Sequence, residues 1–113
     1  MKLKIMCFLF VSAFLLTSAI AHAPDKITIG FDEKSKIITV NISHQVKSPN
    51  EHYIKEVEIY RNGKEIISQK FTSQPTASGL KVQYSLPDHK KGDKYKIEAY
   101  CNKTGELEAV YPQ

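Results

Sequence analysis

From residue 26 to residue 111, short runs of alternating hydrophobic and polar side chains are separated by clusters of turn-forming residues. A period of two marks strands that bury one face. In Lys36–Ser43, Ile38, Val40 and Ile42 alternate with Thr39 and Asn41, which predicts a strand with one buried side. Lys26–Phe31, Tyr53–Arg61, Lys64–Phe71, Leu80–Leu86, Lys94–Tyr100 and Glu106–Tyr111 read the same way. Asn62-Gly63 joins two of these runs and is a strong two-residue hairpin signal, since both residues tolerate positive φ. Residues 74–79 and 87–93 read as loops. No run between 22 and 113 has a helical apolar period. Seven short strands predict an all-β chain, an immunoglobulin-like β-sandwich of antiparallel strands.

The strand order also sorts the reactive residues. If successive strands alternate in direction, His44 closes one upward strand and Cys101 closes another. His52 opens a downward strand and His22 precedes the first one. All four residues are then expected at the same end of the sandwich, and His89 at the opposite end. By phase, His44 continues the Ile38-Val40-Ile42 face and Cys101 the Tyr95-Ile97-Ala99 face, so both are expected to point inward.

Residues 1–21 change the picture of where the chain works. Lys2 and Lys4 precede an apolar run from Ile5 to Leu16, and Ala19-Ile20-Ala21 supplies small residues for cleavage. This is the pattern of a signal peptide, and the run is short for a membrane span. The expectation is therefore residues 1–21 as signal peptide and 22–113 as one exported domain, periplasmic or extracellular, with no stable membrane insertion after cleavage. Of the 113 residues, 16 are Lys or Arg and 12 are Asp or Glu. Losing Lys2 and Lys4 brings these nearly into balance. With no basic block, no nucleic-acid partner is expected. Cys7 leaves with the leader, so Cys101 remains as a lone thiol that cannot form an internal disulfide.

Three imidazoles and one thiolate at one end could hold a metal, and mixed nitrogen–sulfur ligation suits iron, copper or zinc. The same residues could equally be loop-edge polars and a packed cysteine.

In order along the chain, His22-Ala23-Pro24, His44, His52-Tyr53-Ile54 with Glu58 and Tyr60, and Cys101-Asn102 with Gly105 resemble the iron domain of superoxide reductases, the desulfoferrodoxin and neelaredoxin group. Copper is the alternative metal that the donor types themselves leave open, while the resemblance implies a mononuclear non-haem iron. Its ligands would include His22, His44, His52 and Cys101. It implies an oxidoreductase that reduces superoxide with electrons from a donor the sequence does not name. In that family four imidazoles surround the iron, a thiolate lies behind it, and the motif after the cysteine is Cys-Asn-x-His-Gly. Here Thr104 stands in place of the fourth histidine, and Ile20-Ala21 replaces the usual Glu-Lys before the first. Cleavage directly before His22 would offer its free amine as another donor, an arrangement that favours copper. The alternatives are a non-enzymatic immunoglobulin-like binding module and a metal carrier, each with an incomplete site. Lys47, Lys55 and Lys103 are expected at the same end.

Overall fold

The alternating runs become strands close to where the pattern places them. The computed structural model describes residues 21–113, so all of the expected leader except Ala21 lies outside the described residues. Seven strands follow in order: β1 Lys26–Asp32, β2 Ile37–Ser43, β3 Ile54–Arg61, β4 Lys64–Lys70, β5 Gly79–Ser85, β6 Tyr95–Cys101 and β7 Glu106–Tyr111. Asn62 and Gly63 turn β3 into β4 with φ of 51° and 86°, the positive values that a tight hairpin demands.

The strands form two antiparallel sheets, β1-β2-β5 and β4-β3-β6-β7. Their facing sides make the core of an immunoglobulin-like β-sandwich. Ile38, Val40 and Ile42 of β2 meet Ile54, Val57 and Ile59 of β3, and Tyr95, Ile97 and Ala99 of β6; all are buried. Among the described residues no helix is long and apolar enough to cross a membrane.

Two local features set the end where the histidines gather. The first is an irregularity in β3. Against β6, Ile54 pairs with Cys101 and Glu56 with Tyr100, so Lys55 is an extra residue. The bulge changes the strand's phase and keeps both Ile54 and Val57 inside, three positions apart. Strict alternation along Tyr53–Arg61 would not have placed them so. The second is Gly79, where β5 begins beside the end of β2. Its φ is 147°, and a Cβ there would lie 2.0 Å from the Ile42 carbonyl oxygen. Only glycine lets the two backbones approach this closely, and His44 follows directly.

Candidate metal centre

β2 runs one residue beyond its ladder into His44, whose N–H donates to the Ser78 carbonyl at 2.8 Å. Its ring continues the inward face of Ile42 and is fully buried. His52 is set by a turn in which its N–H and that of Glu51 both donate to the Ser48 carbonyl, at 2.9 and 3.0 Å. Asn102 then fastens this turn to the end of β6. Its carbonyl oxygen accepts from the Tyr53 N–H at 2.8 Å, and its amide donates to the Glu51 carbonyl at 3.1 Å. Its own N–H donates to the Tyr53 carbonyl at 2.9 Å. These bonds explain why the expected strand from Tyr53 starts one residue late: the Tyr53 N–H goes to a side chain.

His22 arrives from the N-terminal segment, which is pinned at several points. Asp25 donates its N–H to Ser43 at 2.7 Å, and its carboxylate accepts from the Gln45 N–H at 3.0 Å. Pro24 is buried. Gly105, at φ 82°, faces Ala23 so closely that a Cβ would come within 2.8 Å of the alanine methyl. The His22-Ala23-Pro24 segment and the loop after Cys101 are thereby locked together, with glycine required at 105.

The outcome is a trio of imidazoles. One donor atom from each of His22, His44 and His52 lies within 4.8 Å of the others. The rings meet edge-on, with centroids 4.7 Å apart for His44 and His52, 4.9 Å for His22 and His44, and 5.2 Å for His22 and His52. Among the described residues this is the group of three or more His, Cys, Asp or Glu donors drawn together in this way. No carboxylate belongs to it.

Cys101 ends β6 opposite Ile54 and is buried. Its sulfur accepts the Lys103 N–H at 3.3 Å, and its own N–H donates to Gly105 at 3.0 Å, so a tight turn wraps the thiol. It shares the end of the sandwich with the trio but is not among the converging donors. Thr104 is exposed on the 102–105 loop. Lys47 and Lys103 line a cleft of about 550 Å³ together with Ala21, His22, Glu51 and His52. Lys55, in the bulge, is exposed and does not line it. Glu58 and Tyr60 serve the sheet rather than the site: Glu58 accepts the hydroxyls of Tyr60 at 2.8 Å and Tyr100 at 3.2 Å.

Pattern reading missed Gln74. This buried side chain accepts from the His44 Nδ1–H and from the Ile54 N–H at 3.1 Å. Its amide donates to the carbonyls of His44 at 3.2 Å and Thr76 at 3.1 Å. A loop glutamine carries no periodic signal, and only the fold shows that all its bonding capacity is used. By accepting from Nδ1 it sets the His44 tautomer and leaves the Nε2 lone pair turned toward the trio.

The donor chemistry fits a cation. A neutral imidazole has one N–H and one lone pair. Yet His44 stands between the Gln74 oxygen and the His22 carbonyl, 3.1 Å from Nε2. His22 stands between the carbonyls of Ala23 at 2.8 Å and Gln45 at 2.9 Å. His52 Nε2 is buried with no hydrogen-bond partner. The site thus holds more lone pairs than protons. The bond to the Ala23 carbonyl is the main influence raising the His22 pKa above the ordinary imidazole value, against partial burial. Burial, then the nearby His44 and His22, lowers that of His52, which favours its neutral, ligating form. These groups could hold a metal ion such as iron.

Comparison of the whole fold gives a consistent answer. Superoxide reductase (1Fe-SOR) from Giardia intestinalis superimposes with a TM-score of 0.56 at 17% identity, covering 80% of this chain and 95% of that one. The fold is superoxide reductase-like. A superoxide reductase solved in the oxidised state gives a TM-score of 0.53 at 16% identity, covering 83% of this chain and 91% of its own. A hypothetical protein from Pyrococcus horikoshii gives 0.54 at 17% identity, covering 83% and 90%. No family model matches the chain, and no curated protein matches it by sequence. At these identities the superoxide reductase-like fold is shared while most side chains are not.

Proposed function

We propose that this chain is an exported mononuclear iron protein that reduces superoxide, with His22, His44, His52 and Cys101 as ligands. The observation that carries the reading is the convergence of three imidazoles, one of them His52 with a buried, partnerless Nε2. The superoxide reductase-like fold supports it, as does the placement of Cys101 at the same end. The leader pattern of residues 1–21 supports export.

Iron bound there would supply one electron per superoxide, which takes up two protons to become hydrogen peroxide, while iron(II) becomes iron(III). The protein's own groups have separate tasks. Gln74 fixes the orientation and tautomer of His44. The Lys103 N–H, directed at the Cys101 sulfur, helps fix the position of that side chain. Lys47 and Lys103 at the cleft bring positive charge to the path of an anion.

The exposed Thr104, in place of a fourth histidine, supports a second reading, a metal carrier or binding module without turnover. Metal analysis of the exported protein, with its visible spectrum and superoxide consumption, separates the two. About one iron per chain, a thiolate-to-iron(III) band that disappears in Cys101→Ser, and consumption above that of free iron are expected. Bound metal without consumption would favour the carrier. No metal after anaerobic loading would overturn the iron reading.

A further inference from the structure

We propose that the fourth nitrogen donor of this centre is the α-amine of His22, created when the Ala21–His22 bond is cut; the inference rests on the metal-site reading above.

Four observations lead there. First, the main chain of His22, and not only its ring, lies in the trio. Its carbonyl oxygen is 3.1 Å from His44 Nε2. Standard bond dimensions put a residue's own nitrogen about 3 Å from its carbonyl oxygen, so the His22 nitrogen belongs to the same small volume. Second, Ala21 lines the cleft that His22, His52 and Lys103 also line. The bond to be cut therefore sits at the opening of the site. Third, no fourth imidazole fills the role. The converging donors among the described residues are three imidazoles, and the 102–105 loop adds no imidazole, its Lys103 and Thr104 being exposed. Fourth, Ala19-Ile20-Ala21 places a signal-peptidase pattern directly before His22.

The segment after His22 is built to hold a new terminus still. Asp25 is bonded to Ser43 and Gln45, Pro24 is buried, and Ala23 fits against Gly105 with no space for a side chain there. Chain termini usually fray unless tied down, and this one is tied within three residues of its end. The ordering entropy of the amine is thus largely met before a metal arrives.

The chemistry makes export a switch. In the precursor, the His22 nitrogen is a peptide N–H, with its lone pair delocalised and no donor capacity. After cleavage it is an amine, which offers a lone pair and forms a chelate with its own imidazole. The complete donor set therefore exists only after the leader is removed.

The test uses the protein exported through its own leader, its first residue established by mass spectrometry. A second form carries Ser-Gly inserted between Ala21 and His22. It keeps every imidazole and Cys101 but moves the free amine two residues away. Both are titrated anaerobically with iron(II), after circular dichroism and melting confirm the same fold. The mature protein should begin at His22 and bind iron(II) at least tenfold more tightly than the extended form. Iron should also protect the His22 amine from acetylation, read by peptide mass, while the serine amine of the extended form stays reactive. Equal affinity with an unprotected amine would overturn the proposal and leave the metal site standing. A first residue other than His22 would also overturn it. If neither form binds iron(II), the metal reading itself fails with it.

Discussion

Each end of the sandwich buries a histidine, and the two could hardly be treated more differently. His44 sits with two further imidazoles and no carboxylate in the group. Its Nδ1 is claimed by Gln74 and its Nε2 faces the His22 carbonyl. At the opposite end, His89 is alone of its kind. Its Nδ1 is 2.7 Å from the Tyr95 hydroxyl, and its ring is 4.2 Å from that of Phe31. Carboxylates flank it, Glu33 at 3.6 Å from Nε2 and Asp93 at 3.9 Å from Nδ1. Both His52 and His89 leave a buried Nε2 without a hydrogen-bond partner. Burial and an unpartnered nitrogen therefore do not make a metal centre. Convergence of several donors is the further requirement, because a divalent ion needs several lone pairs at once. His89 instead has no second imidazole beside it, and its bond to Tyr95 and packing against Phe31 account for it as a structural residue.

The largest expected contrast comes from removing each histidine in turn. His44→Ala should abolish iron retention and lower stability by about 2–3 kcal/mol, since it leaves a cavity and strips Gln74 of its partner. His89→Leu should leave iron binding unchanged and cost about 1 kcal/mol, the worth of the lost bond to Tyr95. Metal content and urea melts of the two variants measure this. Retention of iron by His44→Ala, or its loss in His89→Leu, would erase the distinction between the ends.

A smaller effect is expected from Gln74→Leu. This variant keeps every ligand but frees the His44 tautomer and leaves the buried Ile54 N–H unpaired. Iron affinity should fall about 10- to 100-fold, the usual cost of losing such a supporting partner. Nitrogen chemical shifts of the His44 ring should report a mixture of tautomers. A ring that remains purely Nδ1-protonated would show that packing, not Gln74, orients it.

The smallest effect belongs to the far end. Arg61 holds Asp88 in a two-pronged pair at 2.9 and 2.8 Å, which depresses the Asp88 pKa. A depressed carboxylate contributes stability that is fully present above its unfolded value, near 4, and is lost as pH falls through the folded value. Wild type should therefore exceed Asp88→Asn slightly in urea midpoint at neutral pH, and the gap should close on acidification below about pH 4. A gap that widens in acid would contradict the assignment. Iron binding should not follow this titration.

Much of the fold was legible because a sandwich depends on period-two burial, and Ile38-Val40-Ile42 and Tyr95-Ile97-Ala99 state that period openly. Strand boundaries moved by a residue or two where side chains captured backbone groups, as Asn102 does with Tyr53. Of the site, the placement of His22, His44 and His52 at one end followed from strand direction, since antiparallel order assigns each loop to one end. The inward placement of His44 and Cys101 followed from phase, and both are buried.

What only the tertiary structure decided lies where distant segments meet. The Lys55 bulge, which holds Ile54 opposite Cys101, is one residue of slack absorbed by the β6 pairing. Gln74 became part of the site because a loop between β4 and β5 folds back under β2 and β3. Gly105 is fixed by its contact with Ala23, more than 80 positions away in a chain of 113. Local sequence encodes which face a side chain prefers, since that depends on its own polarity and its neighbours' spacing. It does not encode which remote atom will satisfy a buried donor or block a Cβ, because those demands arise only once the two sheets have closed on each other.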